Sequence, residues 1–152
     1  MQLERLGSLS IGAWRFKCRP RMDLGPPYEG LSDAIVITFD PKIVAEKDLI
    51  KHHLLTHSSQ FQHKSWAKNR SAIYVFSKGQ FIRADKIVEH FQKEFKHNLI
   101  TRILTFATFK TNEPKFLNYF QKNPNASFSR DFIQPKLDIL ENLIKRKNAK
   151  LG

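Results

Sequence analysis

The sequence predicts an α+β fold, a two-layer sandwich with helices on a mixed or antiparallel sheet. Three observations lead there. β-branched and aromatic runs alternate with segments of helical spacing from residue 31 onward. A chain of 152 residues matches one domain. Hydrophobic residues make up 41% and charged residues 26%, which is enough to bury a core without metal or disulfide staples.

Each element follows from local signals. Residues 1–30 hold three of the seven prolines (Pro20, Pro26, Pro27) and four of the six glycines. They read as an irregular N-terminal segment with one short strand over 9–16. Ala34-Ile35-Val36-Ile37-Thr38-Phe39 is a strand, closed by the turn pair Asp40-Pro41. Leu49, Ile50 and Leu54 recur at helical spacing and predict a helix over 46–57. Residues 58–69 are polar and read as a loop. Ser71-Ala72-Ile73-Tyr74-Val75-Phe76 is a strand broken by Gly79. Ile82, Ile87, Val88, Phe91 and Phe95 line one face of a helix over 81–96. Residues 99–106 form another strand. Pro114 opens a short helix through Phe120, Asn123-Pro124-Asn125 is a turn, and Pro135 opens a last helix with Leu137, Leu140 and Ile144 on one face. The order is strand, strand, helix, strand, helix, strand, then helices.

Composition narrows the function classes. No apolar run reaches the roughly 20 residues that span a bilayer, and residues 1–12 lack the apolar core of a signal peptide. The expected location is the cytoplasm, and no membrane partner is expected. The single cysteine, Cys18, excludes an internal disulfide and a multi-thiolate zinc site. Net charge is +12, from 26 Lys and Arg against 14 Asp and Glu. Such a charge attracts polyanions. It is spread from Arg5 to Lys150 rather than clustered, which argues against a dedicated nucleic-acid site. A basic nucleic-acid- or anion-binding module is kept as an alternative. His53 and His57 stand four apart on one helix face, but Leu54 holds the place where a zinc-protease helix carries Glu, so no metal site is predicted.

Three segments are similar to the peptide methionine sulfoxide reductase A (MsrA) family. Asp33-Ala34-Ile35-Val36-Ile37-Thr38-Phe39-Asp40-Pro41 resembles the family's "A-E-V-V-x-V-x-F/Y-D-P" strand. His57-Ser58 and, beyond the loop, Arg70-Ser71-Ala72-Ile73-Tyr74 resemble "H-D-P-T … Q-Y-R-S-A-I-Y". Phe109 to Pro124, with Glu113, Tyr119, Lys122 and Asn123, resembles "F-x-x-A-E-x-Y-H-Q-x-Y-L-x-K-N-P", and Ile133, Pro135, Lys136 and Leu137 match "I-x-P-K-L". The resemblance covers about residues 31–140. It implies a ferredoxin-like two-layer sandwich of the MsrA type, with an MsrA-like domain over 31–152 behind an altered catalytic region over 1–30, a single domain in all.

The resemblance also implies a reaction: thiol-dependent reduction of peptide methionine (S)-S-oxide. A thiolate attacks the sulfoxide sulfur, a carboxylic acid assists the oxygen, and aromatic rings hold the methyl end of the side chain. No bound cofactor is expected, only an external thiol reductant such as thioredoxin. The expected partners are oxidised methionine in proteins or peptides and that reductant, and the expected state is a monomer. The family's nucleophile lies in "G-C-F-W"; in this chain the text is Ile11-Gly12-Ala13-Trp14, with Ala13 in the cysteine's place. Cys18, between Lys17 and Arg19, is the candidate nucleophile, since both cations favour the thiolate. Asp33 aligns with the family's catalytic Glu and is the candidate acid. Trp14, Phe16 and Tyr28 are candidates for substrate binding. Lys64 and Asn69 stand where the family has Asp and Tyr, Phe116 where it has His, and Ser129 where it often has a recycling Cys. A catalytically dead MsrA-like binding protein is the second alternative.

Overall fold

A computed structural model describes residues 14–20, 32–57, 59–60, 70–111, 113–116 and 118–149. The elements run β1 (Trp14–Pro20), β2 (Ser32–Val36), α1 (Glu46–Thr56), β3 (Ala72–Val75), α2 (Lys78–Gln92) and β4 (Arg102–Thr111). A 3-10 turn (Pro114–Phe116), α3 (Tyr119–Lys122), a π turn (Ser129–Ile133) and α4 (Gln134–Ala149) follow. This is the element order expected. The chain divides into two compact units, Met1–Glu113 and Pro114–Gly152.

In the first unit the strands form a mixed sheet in the order β2-β1-β4-β3. β1 pairs antiparallel with both β2 and β4, and β3 pairs parallel with β4. Parallel neighbours need a crossover between them, and α2 supplies it. The core cluster contains Ile50 and Leu54 of α1, Ala84 and Phe91 of α2 and Val75 of β3, with Ile73, Ile87, Val88, Phe95, Leu99 and Ile103 packed against it. Ile73 and Val75 therefore face the helices. Strand alternation puts Tyr74 on the reverse face.

Both helices carry their own start signals. α1 has Glu46 and Asp48 in its first turn, where the helix dipole favours anions. α2 is capped by Ser77, whose Oγ accepts from the Gln80 amide at 3.2 Å. Lys51 Nζ to Glu94 Oε2 at 2.8 Å and Arg83 Nε to Glu46 Oε2 at 2.9 Å tie α1 to α2 and the turn after it. Buried hydroxyls hold the segments around the strands: Ser71 Oγ meets Thr101 Oγ1 at 2.7 Å, joining the residues before β3 and β4, and Ser59 Oγ donates to the Leu54 carbonyl of α1 at 2.6 Å. The second unit is helical. Phe128 stacks on Phe132 at 5.3 Å, and Tyr119 meets Phe128 edge-on at 5.8 Å.

Element boundaries differ from the sequence expectation at β1, β2, α2 and β4, and the short helix expected from Pro114 through Phe120 is a 3-10 turn over Pro114–Phe116 followed by α3 at Tyr119–Lys122. β1 reaches Pro20 rather than ending at 16, and residues 9–13 of the expected strand lie outside the described residues. β2 starts at Ser32 and ends at Val36 rather than 39. Gly79 does not break a strand; it lies in the first turn of α2, which starts at Lys78 and ends at Gln92 rather than 96. Gln92 closes that end by bonding outward, its Oε1 accepting from the Leu99 amide at 2.8 Å and its Nε2 donating to the His97 carbonyl at 3.1 Å. β4 runs on to Thr111 because its second half pairs with β1.

Candidate active site

The site is set by the register of β1, the strand that lies between β2 and β4. Trp14 is opposite Val36, Phe16 opposite Ala34 and Cys18 opposite Ser32. Between them Arg15 is opposite Ile35 and Lys17 opposite Asp33. In an antiparallel pair directly opposed residues share a face, and successive residues alternate. Trp14, Phe16 and Cys18 therefore fall on one face of the sheet with Ser32, Ala34 and Val36. Asp33 falls on the other, with Lys17. The register thus groups three of the residues singled out from sequence and sets Asp33 one step out of phase with them. Tyr28, Ala13, Lys64 and Asn69 lie outside the described residues.

Ser32 is buried, at 1% exposure, and its Oγ lies 2.9 Å from the Tyr74 hydroxyl. This bond joins β2 to β3, the two edges of the sheet, over 42 residues of sequence. The face of Tyr74 is carried across the sheet by Leu104 and Phe106 of β4 and by Pro20 of β1, opposite Phe106. The β1–β4 register steps from Arg19 opposite Thr108 to Pro20 opposite Phe106, passing over Ala107. An extra residue resets the alternation of its strand. Ile103, before it, faces the helices. Phe109, beyond it, stands opposite Cys18. Phe76 and Phe106 continue the reverse face, with ring centroids 4.8 Å apart and Phe76 60% exposed.

Sequence reasoning missed Ser32 and Tyr74 as a pair. Tyr74 ends the segment Arg70–Tyr74 and Ser32 precedes Asp33, but their contact depends on sheet order, which local spacing does not encode. Elsewhere in this unit a cavity of about 370 Å³ opens where α1 and α2 end, lined in part by Leu54, His57, Glu94 and Phe95. His57 stacks on His53, with ring centroids 5.1 Å apart. Among the described residues no group of three or more His, Cys, Asp or Glu is placed to hold a metal ion. Among them also, no helix is long and apolar enough to cross a membrane. Phe116 lies in the 3-10 turn, and Ser129 opens the π turn with no exposed surface.

The profile of the peptide methionine sulfoxide reductase family matches residues 27–148. The peptide methionine sulfoxide reductase MsrA of Deinococcus radiodurans is 27% identical over 114 residues, which is 71% of this chain and 55% of that protein. The MsrA of Polynucleobacter asymbioticus is 28% identical over 114 residues, 71% of this chain and 60% of its own length. That of Thermus thermophilus is 25% identical over 113 residues, covering 72% and 64%. The chain thus spans 55–64% of the length of these relatives. Among solved structures, Saccharomyces cerevisiae Mxr1 in reduced form superposes with a TM-score of 0.62 at 15% identity, covering 75% of this chain and 72% of that one. Mxr1 in an unusual oxidised form gives 0.56 at 18%, covering 74% and 67%. At these identities the likeness is one of fold, and it is the α+β fold expected from sequence.

Proposed function

We propose that this chain, which belongs to the peptide methionine sulfoxide reductase family, reduces methionine (S)-sulfoxide in peptides or proteins with an external thiol as reductant. The observation that carries this reading is the family match over residues 27–148. The register of β1 sets Trp14, Phe16 and Cys18 at alternate positions of the strand, opposite Val36, Ala34 and Ser32. Aromatic rings suit the apolar, polarisable end of a methionine side chain.

The chemistry balances in two stages. The Cys18 thiol attacks the sulfoxide sulfur and takes its oxygen, releasing methionine and leaving a Cys18 sulfenic acid. With one cysteine in the sequence, no second sulfur of this chain resolves that acid. One external thiol condenses with it, releasing water and forming a mixed disulfide. A second external thiol attacks that disulfide, restores Cys18 and leaves as the oxidised reductant. A thioredoxin-type protein in a reducing cytoplasm fits this role. The experiment offers a methionine sulfoxide peptide and dithiothreitol to the wild type and to Cys18→Ser. Turnover by the wild type alone is expected; equal background rates in both would remove the assignment of Cys18.

A second reading is binding without turnover. It is favoured by the start of the family match at residue 27, nine positions after Cys18, and by Ala13 in the aligned place of the nucleophile. Saturable binding of the sulfoxide peptide by a protein with no turnover would select it.

A further inference from the structure

We propose that the helix formed by the π turn and α4 docks on an anionic lipid surface through an exposed stripe of apolar and basic residues. The inference stands apart from the Cys18 reaction and is tested without it.

Helical spacing defines the stripe. The backbone is helical without a break over 127–149. Phe128, Phe132, Lys136, Ile139, Leu143 and Arg146 follow one another at intervals of three or four residues, which keeps them on one face. Phe128 is 48% exposed, Phe132 60% and Ile139 41%, and the two rings stack at 5.3 Å. Leu137, Leu140 and Ile144 belong to a different stripe, which is half-buried. The helix therefore has a second apolar face, and it is open.

Charge identifies what covers it. Pro114–Gly152 carries eight Lys and Arg against three Asp and Glu. Lys136 and Arg146 are exposed, and neither has an acid three or four residues away in sequence. The acids follow another line: Asp131, Asp138 and Glu141 share their own spacing, and Gln134 Nε2 donates to Asp138 Oδ1 at 2.8 Å. Rings and cations thus share one face, and the anions are set apart from it. Hydrocarbon beneath a layer of negative headgroups answers both features at once. A second copy meeting this stripe by two-fold symmetry would bring like charges together. A nucleic acid would use the cations and leave Ile139 and Leu143 without a role. A helix of this kind lies in the plane of the surface, so it needs no bilayer-spanning length.

The test spins the full chain down with vesicles of phosphatidylcholine alone and of phosphatidylcholine with an equal part of phosphatidylglycerol, at low and high salt. Wild type, Phe132→Ser, Phe132→Trp, Ile139→Ser, Lys136→Glu and Ile43→Ser are compared, each checked for an unchanged melting profile. Binding to the mixed vesicles, weakened by salt, is expected. Phe132→Ser and Ile139→Ser should each lower partitioning on the order of tenfold, and Lys136→Glu by a similar factor. Phe132→Trp should keep the wild-type value, since an indole suits the interface. Ile43 is 56% exposed in the first unit, and Ile43→Ser should bind as wild type does. Should Phe132→Ser melt early, Ile139→Ser decides in its place. Binding that falls in Lys136→Glu but not in either serine variant of the stripe is adsorption by net charge and overturns the proposal. So does wild-type protein that ignores the mixed vesicles, whether it self-associates through Phe132 or binds a uridine oligonucleotide instead.

Discussion

Ser129 has no exposed surface, and among the described residues its Oγ finds no hydrogen-bond partner. A buried hydroxyl left unmade costs about 1–3 kcal/mol, and its removal can stabilise. Ser129→Ala is therefore expected to gain about 1 kcal/mol and to raise the melting temperature by a few degrees. A lowered melting temperature in a thermal scan would contradict this. The opposite sign is expected at Leu54, 1% exposed in the core. Leu54→Ala leaves a cavity among Ile50, Val75 and Phe91 and should cost about 2–5 kcal/mol in urea titration. Such core positions were legible, since Ile50 and Leu54 repeat at helical spacing. The candidate site was legible in part. Cys18, Trp14 and Phe16 stand two apart in sequence and fall on one face for that reason. Asp33 was chosen by alignment alone, and alignment carries no information on which face of a sheet a residue takes.

Elements were legible in kind and order, and less so at their ends. A helix end depends on side-chain bonds that periodicity does not see, and α2 shows this at both termini. The Ser77 cap starts the helix three residues before the expected position. Ser77→Ala should cost about 1 kcal/mol, read as a lower urea midpoint with an unchanged slope. The Lys51–Glu94 pair makes a useful contrast. Its side chains are 30% and 47% exposed, so water and salt screen it. Lys51→Ala should change stability by less than about 1 kcal/mol, and a drop of several kcal/mol would show that its 4.9 Å approach to the Phe91 ring contributes more than the ion pair. Strand ends follow the partner strand rather than the strand's own composition. β4 shows this: its second half, beyond the expected end at 106, is paired with β1 and runs on to Thr111.

At the scale of the whole molecule, charge and sulfur content set the kinetics. A net charge of +12 draws anionic substrates in at low ionic strength. An acidic sulfoxide peptide should show a KM that rises with salt, while a neutral one should not; equal salt dependence would place the effect outside electrostatics. One cysteine also fixes the stoichiometry. Without reductant, one equivalent of sulfoxide should leave the protein heavier by one oxygen atom in intact-mass measurement, and Cys18→Ser should gain none. Whole-molecule geometry was the least legible level, since two edge strands joined by Ser32 and Tyr74 belong to no local pattern.

Ala107 works as a frameshift written in backbone. By standing outside the pairing it exchanges front and back for everything after it in β4, so a strand that begins by facing helices ends by facing away from them. Were Ala107 instead to pair in line, opposite Arg19, Thr108 would take the place of Phe109 opposite Cys18, and the far half of β4 would slide by one residue along β1.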